Sequence, residues 1–300
     1  MRKYLILIVI SILFLGCVKK EENRLIVGII QPSLNHLPFN FGLESGALAK
    51  HDYVIKTFSS GWETNEALIA GKINVAILPF TYIWNDVSRG KKVKIISFLE
   101  RESDGIITSN KLKEISELDG KKIGVLRAST LDLFAEIFQE EMNISFEMVY
   151  LRTPMDMASA LRKGEVDALS FYVPSILKFD EKKFHIIHWY SELFPLHTCC
   201  DIAATEQALN KKSGQIKRFL KGMKQAVDEM NNNPRLSYEA AREFYDLYYH
   251  IAKQSMHHTK FVMGLAEKDK LFERRVFEIM LQKGYAENDI SMEKVYQQVQ

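Results

Sequence analysis

The chain contains few cysteines and prolines, 3 and 7 respectively in 300 residues. Two of the cysteines, Cys199 and Cys200, are neighbours, and a disulfide between neighbours is strained and uncommon. A fold held together by disulfides is therefore excluded. We expect both to be buried or half-buried structural thiols, because free cysteine usually behaves as a small apolar residue. A metal at this pair would need further ligands at suitable spacing, and His197 is the nearby candidate.

The sequence also lacks an excess of positive charge and the motifs of nucleotide binding, nucleophilic catalysis and metal binding. There are 40 basic and 38 acidic residues, and removal of the segment that holds Arg2 and Lys3 would balance them, so no extended positive surface is expected. No glycine-rich phosphate loop and no nucleophile motif occur. His250, His257 and His258 lack a carboxylate or cysteine at ligand spacing. We therefore expect no nucleic-acid partner, no metal site, no cofactor and no catalytic residue.

The N-terminal segment has the features of an export signal. Residues 1–3 carry positive charge, residues 4–15 form an apolar run, and Gly16 and Cys17 follow. The run is too short to span a bilayer, which needs about 20 apolar residues, and its length suits a secretory signal. The segment resembles a bacterial lipoprotein signal, in which the cysteine is lipidated and becomes the new N-terminus. Residues 1–17 are thus predicted to be a signal peptide, Cys17 the lipidation site and residues 18–24 a tether. An uncleaved anchor and an ordinary secretory signal are the alternatives.

The same order of strand, loop and helix occurs twice. Residues 25–30 form a continuous apolar run typical of a buried strand, and a helix follows with Pro38 in its first turn and Gly46 after its end. Residues 122–126 form a second such strand, and Ser129 is placed as the N-cap of the next helix. This alternation predicts an α/β fold.

An internal repeat strengthens this prediction. EALIAGKINVAIL at residues 66–78 aligns without a gap to SALRKGEVDALSF at residues 159–171. In both, a helix ends on a glycine that can take the left-handed conformation, and a strand follows at once. Two lobes of related topology are expected, with a cleft at the carboxyl ends of their strands. From about residue 203 onward we predict helices, at residues 215–230, 237–253, 268–283 and 292–300.

Several segments carry a family resemblance, namely EALIAGKINVAILPF, RGKKVKII, ISELDGKKIGVLRAST and ALRKGEVDALSFYVPSI, with the helical tail after them. They resemble solute-binding components of ABC importers, in the family for nitrate, bicarbonate, taurine and aliphatic sulfonates that also includes binders and synthases of the thiamine pyrimidine. The resemblance covers nearly the whole chain after the signal. It implies an α/β, two-lobed periplasmic-binding-protein fold of type II, with hinge crossovers near residues 98–103 and 198–203 and a helical C-terminal tail.

The resemblance also implies a domain organisation and partners. Lobe I would comprise residues 25–100 and 203–300, and lobe II residues 101–202. We expect a monomer in the cell envelope, in the periplasm or lipid-anchored to the outer face of the cytoplasmic membrane. The expected partners are a small-molecule solute, an ABC permease, an ATPase, and the membrane through the lipid on Cys17.

Arg127, Ser129 and Thr130 form the strongest candidate for a ligand site. A loop that enters a helix presents free backbone N–H groups and a partial positive charge to an anion. In related sulfonate and nitrate binders the matching loop helps to hold the anionic head group. The alternatives are a plain N-cap for Ser129 and a surface ion pair for Arg127.

Asn35 and His36 lie on the corresponding loop of the first lobe, where SLNHLPF is similar to the loop of thiamine-pyrimidine binders. This similarity implies a heteroaromatic ligand, although a histidine near a helix start often caps the helix or packs in the core.

Ser60 stands three residues before Glu63, an arrangement typical of a capping box. Trp62 either stacks on a ligand or covers the edge of the lobe.

Phe80, Thr81 and Tyr172 follow the two repeated strands, so we expect them to face the cleft. The aromatic side chains of Phe80 and Tyr172 would suit a flat ligand. Ordinary core packing is the alternative.

The leading functional prediction is a substrate-binding lipoprotein that holds a small anionic or heteroaromatic solute in an interlobe cleft and does not convert it. The solute would be of the sulfonate, taurine or nitrate type, or a thiamine-pyrimidine precursor. One alternative is an enzyme similar to the thiamine-pyrimidine synthases, which carry a cysteine-rich stretch around the position of Cys199 and Cys200. The other is a surface lipoprotein that senses a ligand without a transporter.

Overall fold

The computed structural model describes residues 24–127 and 129–299. The predicted signal peptide, the predicted lipidation site Cys17 and all but the last residue of the predicted tether lie outside these ranges. Within them, no helix combines the length and the apolar character that crossing a bilayer requires.

Strands and helices alternate through the first two thirds of the described chain, and helices predominate after it. The strands are β1 (Leu25–Ile30), β2 (Tyr53–Phe58), β3 (Val75–Pro79), β4 (Val93–Glu102), β5 (Asp104–Ser109), β6 (Lys122–Leu126), β7 (Glu147–Leu151), β8 (Ala168–Tyr172), β9 (Phe184–Trp189), β10 (Thr198–Thr205) and β11 (Thr259–Gly264). The α-helices are α1 (Leu37–Ser45), α2 (Gly61–Ile69), α3 (Phe80–Ser88), α4 (Thr130–Glu141), α5 (Pro154–Lys163), α6 (Tyr190–Leu193), α7 (Glu206–Lys211), α8 (Ser213–Asn232), α9 (Pro234–Tyr245), α10 (Tyr249–His257) and α11 (Glu267–Gln282).

The strands form two mixed sheets with a common plan. The order of the first sheet is β11-β4-β10-β3-β1-β2, and that of the second is β7-β6-β8-β5-β9. In the first sheet β1 pairs in parallel with β2 and β3, as β6 does with β7 and β8 in the second. The next pairings, β3 with β10 and β8 with β5, are antiparallel. The internal repeat therefore maps onto equivalent strands, β3 and β8, and the predicted two-lobed α/β fold is confirmed.

Glycines end two of the helices that cover these sheets, as the sequence predicts. Gly46 follows α1 with a φ of 84°, and Gly164 follows α5 with a φ of 73°. This left-handed conformation lets the chain turn sharply out of a helix, and a side chain disfavours it. The first strands of the two sheets, β1 and β6, have the predicted bounds.

The chain passes from the first sheet to the second at Ser103. β4 ends at Glu102 and β5 begins at Asp104. Glu102 and Ser103 have φ values of 62° and 77°, in the left-handed region that residues other than glycine seldom adopt. The Ser103 N–H donates to the carbonyl of His258 at 2.7 Å. The chain returns to the first sheet between α6 and β10. We keep the limits of the two lobes, 25–100 with 203–300 and 101–202, as a proposal.

The helical tail differs from the prediction in its middle. The single helix expected at residues 237–253 is two helices, α9 and α10, because Asp246 takes a φ of 47° and ends α9. The edge strand β11, which pairs antiparallel with β4, was not predicted. The strand has only six residues and begins just after α10, so its sequence does not distinguish it from the predicted helical tail.

The end of the tail also differs. The helix expected at residues 292–300 is limited to one 3-10 turn at Met292–Lys294. The residues that follow pair with β4 instead: the Ile95 N–H donates to the Val295 carbonyl at 2.8 Å, and the Gln297 N–H donates to the Ile95 carbonyl at 3.0 Å. Strand pairing at this edge therefore replaces a helix.

Two carboxyl groups meet in the interior, Asp201 on β10 and Glu273 on α11. Glu273 Oε2 accepts hydrogen bonds from the Trp84 indole at 3.1 Å and from the Tyr296 hydroxyl at 2.8 Å. Burial raises the pKa of Glu273 to about 7. Burial and the neighbouring Glu273 raise the pKa of Asp201 well above its ordinary value. The pair therefore retains a proton near neutral pH, because two adjacent buried carboxylates are costly.

We predict that this pair makes the folded state less stable as the pH rises. Its contribution is complete below the ordinary glutamate pKa of 4.5 and is lost as the pH passes through about 7, because the folded state holds a proton that the unfolded state has released. Glu273→Gln preserves acceptor and donor atoms without ionising. The variant should lose less stability than the parent between about pH 5 and pH 8, by on the order of 2 kcal/mol.

Calorimetric unfolding at several pH values tests this prediction. Glu243→Gln, on an exposed part of α9, is the control for the same chemical change at the surface. If Glu273→Gln and the parent show the same dependence of Tm on pH, the raised pKa of Glu273 does not contribute to the loss of stability and the prediction is wrong.

Candidate functional site

A cavity that is open to solvent lies between the two sheets. The last residues of β1, β3, β6 and β8 all line it: Ile30, Pro79, Leu126 and Tyr172. Open α/β sheets bind ligands at this place, beyond the carboxyl ends of their parallel strands. We call this cavity the cleft.

Three groups of residues complete the lining of the cleft. Loops and helix starts of the first sheet contribute Ser33, Asn35, Ser59, Ser60, Gly61 and Tyr82. Those of the second sheet contribute Ser129, Thr130, Leu131 and Pro154. The strands that join the sheets add Glu100, Ser103, Asp104, Cys199 and Cys200.

Five of the ten ligand residues predicted from the sequence line the cleft: Asn35, Ser60, Ser129, Thr130 and Tyr172. They come from both sheets, so the structure brings together residues that are far apart in the chain. Their contact with a ligand stays a prediction.

Phe80, Thr81 and Trp62 do not line the cleft. Phe80 and Thr81 begin α3 and are fully buried, and the Phe80 ring packs against Phe272 at 6.5 Å between centroids. Trp62, in the first turn of α2, is 60% exposed. The first two therefore occupy the core, and the third occupies the surface.

Arg127 is exposed at the end of β6 and is also outside the lining. Its guanidinium lies over the Tyr150 ring, 5.7 Å from the centroid. Its backbone carbonyl accepts a hydrogen bond from the Tyr82 hydroxyl at 3.4 Å. This last contact crosses the cleft, because Tyr82 belongs to α3 on the first sheet.

His36 does not line the cleft but is buried in the loop after β1. Its Nε2 accepts a hydrogen bond from the Ile30 N–H at 2.7 Å. Burial lowers the pKa of His36 to about 3, so the imidazole is neutral. The ring thereby fixes the end of β1 and the position of the adjacent Asn35, whose Oδ1 is buried without a hydrogen-bond partner.

The start of α4 carries the predicted Ser129 and Thr130. Ser129 is the N-cap residue of α4, as predicted, but its hydroxyl donates to the carbonyl of Leu126 at 2.6 Å and makes no capping hydrogen bond. The Thr130 hydroxyl lies 3.4 Å from the Cys199 sulfur, a second contact across the cleft. By contrast, the Ser60 hydroxyl accepts from the Glu63 N–H at 3.2 Å, the predicted capping contact of α2.

Sequence reasoning missed two acidic residues of the cleft, Glu100 and Asp104, which are 4% and 2% exposed. Burial, together with the nearby Asp104, raises the pKa of Glu100 to about 8, although contacts with Cys200 and Ser103 act in the opposite direction. One signal was available: Glu100 interrupts the apolar run of β4, VKIISFLERE. A charged residue in a buried strand often marks a functional site.

The two thiols face the cleft together. Successive residues of a regular strand point to opposite sides, but the Cys199 and Cys200 sulfurs are 3.7 Å apart and both line the cleft. Register shifts in the pairing of β10 with β4, on both sides of Cys200, account for this arrangement. Burial raises the pKa of Cys200 to about 11, and the contact with Cys200 together with burial raises that of Cys199. Both are therefore neutral thiols near neutral pH.

Glu100, Cys199 and Cys200 are the residues here that could hold a metal ion. One ligand atom from each lies within 4.8 Å of the others. A soft divalent ion accepts such a donor set, but both thiols would first have to lose their protons. The raised thiol pKa values oppose that step.

Two α/β lobes that are linked by short crossovers and face each other across a cleft define the class of periplasmic-binding-protein folds. The chain belongs to the NMT1/THI5-like family, because residues 53–237, more than half of the chain, match the family profile described as NMT1/THI5 like. The family resemblance predicted from the sequence is confirmed.

Curated relatives come from Brucella abortus and Brucella suis and are named, provisionally, as binding proteins. They are 24% identical to the chain over 208 residues. The match covers 67% of this chain and 65% of each relative, so the chain spans less than two thirds of the length of these relatives.

Solved structures share the fold at low sequence identity. A ligand-binding component of an ABC-type import system from Staphylococcus aureus, with zinc bound, has a TM-score of 0.79 and 16% identity, over 92% of this chain and 97% of that one. The periplasmic aliphatic sulphonate binding protein SsuA of Escherichia coli has a TM-score of 0.76 and 14% identity, over 93% of each chain. The alkanesulfonate-binding protein SsuA of Xanthomonas axonopodis pv. citri, bound to MOPS, has a TM-score of 0.79 and 13% identity, over 91% and 98%.

We predict that the two thiols react slowly in the folded protein. Burial raises the pKa of Cys200 from its ordinary 9.0 to about 11, so its thiolate fraction at pH 8 should be about 100-fold lower than in the unfolded chain. Iodoacetamide should therefore alkylate it at least about 100-fold faster in urea than in native buffer. Mass spectrometry of the tryptic peptide that holds Cys199 and Cys200 gives the alkylation rate in urea and the rate in native buffer. Cys17 lies on another peptide and does not contribute to either rate. Similar rates in both solvents would show that the thiols are exposed or ionised.

Proposed function

We propose that the chain is the solute-binding component of an ABC-type importer. The observation that carries this proposal is the cleft, because the carboxyl ends of strands from both sheets line it. A solute there would contact both lobes at once. Such contacts favour a closed form, since a ligand shifts an equilibrium only by binding one state better than the other.

The hinge and the contacts across the cleft support a closing motion. Glu102 and Ser103 form the short link between the sheets. The Tyr82 hydroxyl reaches the Arg127 carbonyl, and Thr130 reaches Cys199, from one side of the cleft to the other. Hinge motions of two-lobed binding proteins rely on a few link residues of this kind.

Of the two solute classes predicted from the sequence, the cleft favours a small heteroaromatic solute over a sulfonate-type anion. Tyr82 and Tyr172 supply aromatic surface. Asn35, Glu100 and Asp104 supply hydrogen-bond acceptors, which suit the N–H groups of an amino-substituted ring. No basic side chain belongs to the described lining.

The remaining elements of the proposal concern location and partners. The protein would lie outside the cytoplasm, in the periplasm or on the outer face of the cytoplasmic membrane, held by a lipid on Cys17. It would act as a monomer and deliver its solute to a permease driven by an ATPase. The import-system neighbours support this assignment.

Retention of a solute without conversion tests the transport role. Purified protein, incubated with a metabolite extract and washed, should release on denaturation a small molecule chemically identical to one in the extract. Mass spectrometry of the released molecule and of the incubation mixture makes the comparison. A product that is formed only in the presence of the protein would contradict the proposal and favour an enzyme on this scaffold.

Lipidation is a separate prediction. In a bacterial host fed radiolabelled palmitate, the parent chain should incorporate label and sediment with membranes, because acyl chains hold a protein at the bilayer. Cys17→Ser should remove both properties. The control is Cys199→Ser, which leaves Cys17 intact. Label retained in Cys17→Ser would show that Cys17 is not the acceptor.

A further inference from the structure

Three of the helices that begin at the cleft are not open to an anion, whereas α3, which begins beside the lining residue Pro79, has no acidic residue in its first turn. α2, α4 and α5 each begin at the cleft, and each already carries an acidic residue in its first turn: Glu63, Asp132 and Asp156. Glu63 accepts hydrogen bonds from the Ser59 N–H and hydroxyl, and Asp156 accepts from Thr153 in the same way. A carboxylate at a helix start offsets the partial positive charge there.

One acceptor atom of Asn35 and one of Asp104 lack a hydrogen-bond partner, whereas the other carboxyl oxygen of Asp104, Oδ1, accepts from the Ser103 hydroxyl at 3.3 Å. Both residues are 2% exposed, both line the cleft, and Asn35 Oδ1 and Asp104 Oδ2 are without a donor. Buried polar atoms are nearly always hydrogen-bonded, because leaving one unpaired is costly. Glu100 lies beside them, so a patch of acceptors, which we call the acceptor patch, consists of Asn35, Glu100 and Asp104.

The cations nearest to this patch are engaged elsewhere or do not reach it. Arg101, next to Glu100, is buried in a two-point contact with Asp269, at 2.7 and 2.6 Å, and also donates to the Leu196 carbonyl. His197 Nε2 is 3.9 Å from Asp104 Oδ2, too far for a hydrogen bond. No Lys, Arg or His belongs to the described lining.

We infer that the cleft selects a small organic cation with several N–H donors, of the ammonium, amidinium or protonated amino-heterocycle class, whose charged end binds Glu100, Asp104 and Asn35. The inference rests on the proposed function, since it names the class of solute that the same cleft holds. A cation would satisfy the orphaned acceptors and the buried carboxyl groups together. The faces of Tyr82 and Tyr172 also attract positive charge. A sulfonate or nitrate ion would instead meet two buried carboxyl groups, and no Lys, Arg or His side chain in the described lining would compensate its charge.

The test is the charge of the solute that the cleft retains. Folded parent protein, Glu100→Gln, Asp104→Asn and a surface control, Glu165→Gln, are each incubated with the same yeast metabolite extract, washed and denatured. Glu165 is exposed after α5, so the control repeats the chemical change away from the cleft. Ion-exchange chromatography at pH 7 sorts the released molecules by charge, and isothermal titration with the identified solute gives each affinity. Circular dichroism and Tm establish that each variant is folded.

The expected result is a retained cation whose affinity falls about 10- to 100-fold in each of Glu100→Gln and Asp104→Asn and is unchanged in Glu165→Gln. Two variants keep the test decisive if one of them does not fold. Retention of an anion, or of a cation with equal affinity for the parent and both variants, overturns this inference and leaves the proposed function standing. If the folded parent retains no solute of any charge, the proposed function and this inference both fall.

Discussion

The antiparallel pairing of β4 with β10 is the interaction on which the hinge and the cleft both depend. β4 leads out of the first sheet into the second, and β10 is the strand by which the chain comes back. Their register sets Cys200 opposite Glu100, and the irregularities around Cys200 turn both thiols toward the cleft. A regular ladder would send one of the two thiols to the far side of the sheet. One local departure from strand geometry therefore determines which chemical groups line the cleft.

Charge is distributed unevenly along these two strands. On β4, Arg101 is fully neutralised by Asp269, while its neighbour Glu100 faces the cleft with only weak donors. On β10, Asp201 is paired with Glu273 in the interior. Buried carboxyl groups without a cation reduce stability. Glu100 lines the cleft beside unpaired acceptors, whereas the pair of Asp201 and Glu273 does not, and this difference supports the binding role that we propose for Glu100.

Much of the fold follows from local signals, and most of the site does not. The bounds of β1 and β6 and the glycines after α1 and α5 were predictable, because apolar runs and left-handed glycines act within a few residues. The prediction of the helical tail was wrong at Asp246 and at β11. The amino-acid composition shows neither the left-handed conformation of one residue nor the pairing of an edge strand. Glu100 and Cys200 are about 100 positions apart, and only tertiary pairing brings them together. Phe80 follows a strand, as predicted for a cleft residue, but the helix that begins there turns its ring into the core.

The direction of β1 has a consequence for geometry at the membrane. β1 starts at Leu25, immediately after the predicted tether, and its other end, Ile30, lines the cleft. The five residue steps from Leu25 to Ile30 separate the two ends of the strand by roughly 17 Å. A lipid joined through residues 18–24 would thus attach to the side of the molecule that is remote from the solute. A membrane tether at Leu25 would leave the cleft at the opposite end of this strand.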